Sequence, residues 1–417
     1  MTELPVPPTT SSSTPPTYTI DLSLPPCERY VQVTTDYARI VSELPCLYDE
    51  ALSYLRLPTW FFHILGRLLL RHLHSAEQTE ELRGISKTCG LPMYLLVAYN
   101  VFLDLLMGCT SGGVVVADEV LGPSMMHFRT LDWSMDLLRQ AIVQFEFVDR
   151  PGGEVIARTV GYVGFVGVLT GVRKGMSVSL NFRPYHNAHG LSWANMKYYW
   201  NTLMVLLGRR PSISTLLRDC LLPRPSSPAR KRTRLIKKRG AKEPESQIPA
   251  TTLPPYTSTD ITRILPSLRT TVAYLIFCTG SETLILEKDF LTANIFRSSS
   301  FINTTNHDIA FETAQEPQAA QSDAAHTQAR ANNGLLNAGM QEIVDDSIDR
   351  KTCLRETWLE WKQERGERAA ERGVKLSELK EWVQKFPVCN ESTHFVCIMD
   401  ARAGVFRWVR KFEEDEV

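Results

Sequence analysis

The stretch from Gly113 to Phe182 constrains the fold more than any other part of the chain. Gly113 to Asp118 has a buried-strand pattern, Met125 to Trp133 and Gln144 to Val148 look like further strands, and Met176 to Phe182 alternates after a Gly-rich turn. Connections this short join antiparallel neighbours, because parallel neighbours need a crossover of about a dozen residues or more. On the N-terminal side, Thr17 to Leu24 alternates with Tyr18, Ile20, Leu22 and Leu24 on one face. Helical spacing follows over Tyr30 to Leu44, Trp60 to His74 and Leu91 to Leu106. On the C-terminal side, Val272 to Phe277 and Glu282 to Leu286 form a hairpin-like pair, and Asn294 to Ile302 continues the strand character. Charged helices are predicted around Leu354 to Lys362 and Leu376 to Phe386, and His394 to Met399 with Val405 to Phe412 close the chain as strands. Helices, strands, helices and strands again point to a layered α+β sandwich.

Composition narrows the function. With 43% hydrophobic and 22% charged residues, the 417-residue chain reads as globular. Its 46 basic and 46 acidic residues cancel, so no global field recruits nucleic acid or an anionic membrane. The nine cysteines are scattered without C-x-x-C pairs or His/Cys clusters, which argues against a structural zinc site and a dense disulfide scaffold. The Pro/Ser/Thr-rich start, residues 1–16, reads as a disordered lead without the basic and apolar regions of a secretory signal. Trp60 to Leu70 and Leu91 to Met107 fall short of the roughly 20 clean apolar residues a membrane span needs. The helix over Trp60 to His74 has two readings, a core-facing helix or one lying on a lipid surface.

Two insertions, 222–255 and 313–337, look non-catalytic. The first holds a basic run from Arg230 to Arg234 with Lys237, Lys238 and Arg239. Such a run is read either as a nuclear import or nucleic-acid contact or as a solvated linker, and its Pro-flanked setting favours the linker with no nucleic-acid partner. The second, rich in Ala, Gln and Asn, reads as a mobile loop. Sequons at Asn303 and Asn390 are too common by chance to assign a compartment.

Cys109 follows a helix, is preceded by Gly108 and followed by Thr110 and Ser111, and leads into a strand. Alone, such a cysteine is more often a small core residue than a nucleophile. The surrounding assembly is more specific: GCTSGGVVVADEV from Gly108, HFRTLDW from His127 to Trp133, and GYVGFVGVLTGVRKGMSVSLNFR from Gly161 to Arg183. This order and spacing resembles the acid ceramidase and N-acylethanolamine acid amidase family, N-terminal-nucleophile cysteine hydrolases similar to the choloylglycine hydrolases. The likeness extends to LPMYLLVAYNVFLDLLMGCTS before the cysteine, TNHD at Thr305 to Asp308, Ile348-Asp349-Arg350, PPCERY from Pro25 to Tyr30, and the last two strands. It covers roughly residues 17 to 412 apart from the two insertions.

The resemblance implies an αββα four-layer sandwich, self-cleavage between Gly108 and Cys109, and a processed N-terminal segment, residues 17–108, that stays with a catalytic part, residues 109–417. It also implies Cys109 as nucleophile and Asp132 holding the new α-amino group. Arg129 would lie beside the nucleophile, Asn306 would donate to the oxyanion, and Arg350 would be a second arginine near the site. An α-amine with pKa near 8 on the residue that carries the thiol lets one residue be nucleophile and base. Gly108 is expected to tolerate a strained turn at the cleavage point. The family's N-E-R reads Asn181-Phe182-Arg183 here, so Phe182 replaces an acid near the substrate, with Asn181 and Trp133 as further substrate contacts. The implied reaction is hydrolysis of the linear amide of an N-acylated lipid, ceramide first and N-acylethanolamine second, with the acyl chain in a groove of apolar helices. No metal or organic cofactor is implied, a membrane surface is a candidate partner, and relatives are lysosomal. The reading of another class is an inactive lipid-binding relative.

Overall fold

The alternation along Met176 to Phe182 sets the architecture. Ser177, Ser179 and Asn181 point one way and Val178 and Leu180 the other, and all are buried, so this strand must be covered on both faces. The computed structural model describes residues 13–54, 58–102, 108–133, 135–187, 192–225, 252–310 and 337–413. Its strands are β1 (Thr17–Asp21), β2 (Gly108–Val116), β3 (Ser124–Asp132), β4 (Ile142–Val148), β5 (Val155–Tyr162), β6 (Thr170–Arg173), β7 (Met176–Phe182) and a two-residue pair, β8 (Arg224–Pro225) with β9 (Thr252–Leu253). They continue as β10 (Ala273–Cys278), β11 (Thr283–Lys288), β12 (Ala293–Ser298), β13 (Phe301–Thr304), β14 (Thr393–Asp400) and β15 (Val405–Lys411). One sheet runs β1-β4-β5-β6-β7-β10-β11-β12 and the other β13-β2-β3-β14-β15.

The helices are α1 (Val31–Asp36), α2 (Ala38–Val41), α3 (Leu44–Tyr54), α4 (Thr59–Leu69), α5 (Ala76–Cys89), α6 (Met93–Phe102), α7 (Trp193–Leu206), α8 (Ile213–Leu221), α9 (Ser258–Ile264), α10 (Asn337–Arg365), α11 (Glu367–Arg372) and α12 (Leu376–Gln384). α8 packs on β6 and β7, on the outer face of the large sheet, while α10, α11 and α12 pack on the outer face of the small one. β7, β10 and β11 meet β2 and β3 between them, which makes the four layers of an αββα sandwich. Val114, Val116, Met126 and Phe128 pack under α10 and α12 against Leu354, Leu379 and Val383.

The inter-sheet layer is unusually polar. His127 on β3 reaches across to Ser177 Oγ at 3.0 Å and Ser179 Oγ at 2.9 Å on β7. Next to His127, its partner in the β2–β3 register, Gly113 lets β2 approach β11, since a Cβ there would sit 1.9 Å from Thr283 Oγ1.

Several boundaries differ from expectation for identifiable reasons. The strand expected from Gly113 starts at Gly108, so Cys109 lies within a strand rather than on the turn before one. β1 is parallel to β4, the exception to an antiparallel large sheet, because helices α1 to α6 intervene before the chain returns. The helix expected over Trp60 to His74 ends at Leu69, and the one expected over Leu91 to Leu106 is described over Met93–Phe102, with 103–107 outside the described residues. α10 is longer than the expected Leu354 to Lys362. Of the expected disordered lead, residues 13–16 are held: Ser13 O accepts from Lys411 N at 2.7 Å and Pro16 O from Gln144 N at 2.9 Å. The basic run 230–239 and nearly all of 313–337 lie outside the described residues, and β8 with β9 brackets the first insertion where it enters and leaves. All nine cysteines are free, and among the described residues no helix is long and apolar enough to cross a membrane.

The N-terminal segment is bound into the rest by charge as well as by β1. Arg218 on α8 holds Glu81 on α5 with two 2.6 Å bonds, Arg29 adds a third at 3.0 Å, and the Glu81 side chain is fully buried. Breaking such a pair by removing one partner costs about 3–5 kcal/mol, because the other charge stays buried.

Burial lowers the His127 pKa to about 3, with Arg129 adding to the effect, and lowers that of His394 to about 3 as well. An unfolded histidine takes up a proton near pH 6.5. A depressed histidine therefore contributes stability above that pH that is lost as the pH falls toward 3. His127→Gln is expected to be less stable than wild type at pH 7. It should also lose about 2 kcal/mol less between pH 6.5 and 4.5, read from urea midpoints at the two pH values.

Candidate active site

The β2–β3 register places Gly108 opposite Asp132 and Cys109 opposite Leu131. Cys109 faces the inter-sheet layer with no exposed surface. Gly108 does not form the expected strained turn. It lies in extended pairing, and its small size answers crowding instead, since a Cβ would come 3.3 Å from Asp132 Cβ and 3.6 Å from Arg350 Nη1.

Arg129, also fully buried, donates from Nη2 to Cys109 Sγ at 3.3 Å, and from Nη1 to Leu180 O at 2.6 Å and Asn181 Oδ1 at 3.3 Å. No carboxylate forms an ion pair with it among the described residues, and its Nε meets no hydrogen-bond acceptor there. Asn181 is oriented by Ser111, which donates to its Oδ1 at 2.7 Å. Its Nδ2 donates to Thr304 O and Thr305 O at 3.2 Å each and to Cys109 O at 3.5 Å.

On the other side of the cysteine, Cys109 N–H donates to Asn306 Oδ1 at 2.8 Å, and Arg350 Nη2 donates to the same oxygen at 3.0 Å. Two donors on Oδ1 fix the amide, so Nδ2 faces the Phe182 carbonyl, 2.8 Å away. Arg350 Nη1 reaches Asp132 Oδ2 at 2.5 Å, and Thr393 donates to Asp132 Oδ1 at 2.7 Å. Ser347, one turn before Arg350 on α10, accepts the Asn306 backbone N–H at 2.6 Å and bonds Thr305 Oγ1 at 2.8 Å.

Burial pushes the Cys109 thiol up, while Arg129, Arg350 and a backbone bond from Phe182 pull it back. Burial likewise raises the Asp132 carboxyl against Arg350, Thr393 and Arg129. Behind the site Tyr162 OH meets His394 Nδ1 at 2.8 Å, and both rings pack on Trp133.

The structure thus brings together Cys109, Arg129, Asp132, Asn306, Arg350, Gly108 and Asn181. Trp133 joins Gly108, Asp132 and Arg350 in lining a cleft of about 650 Å³. Phe182 does not line it, and its backbone rather than its ring meets the site. The cleft wall also departs from the expected apolar groove, because Asp346, Asp349, Glu356 and Glu360 from α10 face Lys385 and Glu391 across it. Ser111, Ser347 and Thr393 went unforeseen, since a buried hydroxyl leaves no periodic mark, although Ser347 and Arg350 share a helix face at i, i+3. The sequon residue Asn303 is buried and donates to Lys351 O at 3.0 Å, so no glycan fits there in this fold.

A family model described as the beta subunit of N-acylethanolamine-hydrolyzing acid amidase matches residues 13–74. The N-acylethanolamine-hydrolyzing acid amidase of Caenorhabditis elegans is 32% identical over 177 residues, 40% of this chain and 47% of that protein. Human acid ceramidase is 27% identical over 187 residues, 40% of this chain and 45% of that protein. The chain is similar to members of the acid ceramidase and N-acylethanolamine acid amidase family over about two fifths of its length. It spans about half the length of these curated relatives. A solved structure of a Caenorhabditis elegans ortholog of the amidase overlays with TM-score 0.42 at 19% identity, covering 70% of this chain and 93% of that one.

The Asp132–Arg350 pair is expected to behave as a buried ion pair. Asp132→Asn should lower stability by about 3–5 kcal/mol, and Arg350→Met should restore much of it in the double variant. Urea unfolding of the four chains measures the coupling. Additive losses would mean that the two side chains do not depend on each other.

Proposed function

We propose that the chain is a self-processing N-terminal-nucleophile amidohydrolase that cleaves the linear amide of N-acylated lipids through Cys109. The observation that carries this reading is the fully buried Arg129 guanidinium, in ion-pair contact with no carboxylate among the described residues and 3.3 Å from the Cys109 sulfur. A buried cation with no carboxylate in contact is favoured where negative charge develops beside it, as it does on a thiolate or an oxyanion.

In the uncut chain the Cys109 sulfur attacks the Gly108 carbonyl, the thiol proton passes to the departing nitrogen, and water hydrolyses the resulting thioester. The cut yields a segment ending at residue 108 and a catalytic chain beginning at Cys109. β1 and the Glu81–Arg218 pair keep the two associated. The new α-amine takes the thiol proton, and the thiolate adds to the amide carbonyl of the substrate. Charge on the oxygen is met by Arg129, whereas Asn306, expected as an oxyanion donor, presents its Oδ1 to Cys109 N–H and gives its Nδ2 to Phe182 O, which suits holding the amine end of Cys109. The amine returns the proton to the leaving nitrogen, and water then releases the fatty acid from the acyl-enzyme. Asp132 and Arg350 keep Asn306 and the amine end of Cys109 in place, and Asn181 holds Arg129. Ceramide is the first substrate class and N-acylethanolamine the second, and the likeness to lysosomal relatives carries with it an acidic working pH.

A lipid surface supplies such substrates. Trp60, Phe61, Ile64 and Leu68 are exposed on α4, and Trp193, Met196, Tyr199 and Trp200 on α7, and both helices pack on α6. Large exposed apolar stripes on neighbouring helices fit an interface with lipid.

Wild type incubated at pH 4.5 is expected to divide before Cys109, by intact mass and denaturing gel, and then to hydrolyse ceramide or N-acylethanolamine, while Cys109→Ala stays whole. An uncut, inactive wild-type chain at both pH 4.5 and pH 7 points instead to an inactive lipid-binding relative. Trp60→Glu with Trp200→Glu is expected to reduce co-sedimentation with phosphatidylserine-containing vesicles several-fold. Unchanged sedimentation would exclude the two helices as the contact.

A further inference from the structure

Two residues of the matched motifs, Arg183 and Asp308, take no part in the chemistry above, yet the structure joins them. Arg183 is 2% exposed; its Nε donates to Asp308 Oδ1 at 2.9 Å and its Nη2 to Asp308 Oδ2 at 2.5 Å, a two-pronged pair. Tyr274 OH donates to Asp308 Oδ1 at 2.8 Å, and Asp308 N–H donates to Tyr185 OH at 2.5 Å. Asp289 and Asn187 complete the shell of Arg183, at 3.4 Å and 2.9 Å.

The pair is the last of a series of contacts between the end of β7 and the segment after β13. Asn181 donates to Thr304 O and Thr305 O, the Phe182 carbonyl accepts from Asn306 Nδ2, and Arg183 holds Asp308. β7 belongs to the large sheet and β13 to the small one, so these contacts join the two sheets at the end where Cys109 lies. Asn306 makes the middle contact. Its amide has to meet Cys109 N–H on one side and Phe182 O on the other, which leaves little tolerance for movement of the segment.

We infer that Arg183 and Asp308 form a clasp across the sheet seam, acting as positioning residues that hold the Asn306 amide against Cys109. The effect on catalysis rests on the hydrolase reading above, whereas the clasp as a structural device does not. Ser347 and Arg350 anchor the same segment from α10, so Asn306 is held from both sides.

A double-substitution cycle on the full chain tests this. Asp308→Asn keeps the size of the side chain and removes its charge, while Asn306→Ala removes the amide that is held. With a fluorogenic palmitoyl aminocoumarin amide as probe, Asp308→Asn is expected to lower kcat about 10- to 100-fold at unchanged KM, and to add nothing in the Asn306→Ala background. Tyr274→Phe, which deletes one bond to Asp308 and no charge, is expected to shift kcat the same way by a smaller factor. Equal losses in the two backgrounds, or a change in KM alone, overturn the assignment. The cycle is repeated on thermal unfolding in the Cys109→Ala chain, where no catalysis enters. Non-additive shifts in Tm support the clasp and additive shifts overturn it. A wild-type chain that does not hydrolyse the probe counts against the proposed activity, and the unfolding cycle then decides the clasp.

Discussion

A guanidinium enclosed between two sheets, with no carboxylate in contact with it among the described residues, is the constraint around which this structure is arranged. Arg129 is satisfied by a backbone carbonyl, a side-chain amide and a sulfur, all of which carry at most partial negative charge. Each of those acceptors must be held still, and the layer around them shows how. Ser111 and the carbonyls of Thr304 and Thr305 fix Asn181, while the β3–β14 pairing brings Thr393 onto Asp132. The polar serines of β7 face this layer beside apolar neighbours such as Ile276 and Ile285, which pack on Ile302 of the other sheet, and a further apolar layer lies under the outer helices.

Much of the sandwich was legible in the sequence because its strands alternate or run apolar over their whole length. Met176 to Phe182 matches β7, and the closing hairpin was read to within two residues. What alternation does not reveal is partnership: nothing in Thr17–Asp21 says that it lies parallel to β4, because that pairing is decided by the helices between. α5 was passed over for a different reason. Its buried face mixes Leu82 and Ile85 with Gln78, Thr79 and Glu81, of which Gln78 meets Thr215 and Glu81 meets Arg218, so polar residues interrupt the apolar period.

The site divides along the same line. Cys109, Arg129, Asp132, Asn306 and Arg350 were found through motif likeness, residue by residue, and the structure places them within one connected set of hydrogen bonds. Ser347 and Thr393 belong to that set but are ordinary hydroxyls in sequence, and only packing shows their use. The acidic wall that α10 contributes to the cleft was hidden too, because an exposed charged helix face looks the same wherever it points.

The hydrogen bonds that assemble the site join residues remote in the chain: 197 positions separate Cys109 from Asn306, 218 separate Asp132 from Arg350, and 261 separate Asp132 from Thr393. Contacts of such separation close late, since loop-closure entropy has to be overcome before they form. A chain still emerging from the ribosome therefore holds Cys109 and Arg129 but neither Asn306 nor Arg350. On the proposed reading, reactivity at Cys109 is thereby tied to completion of the last strands, and the fold acts as its own timer.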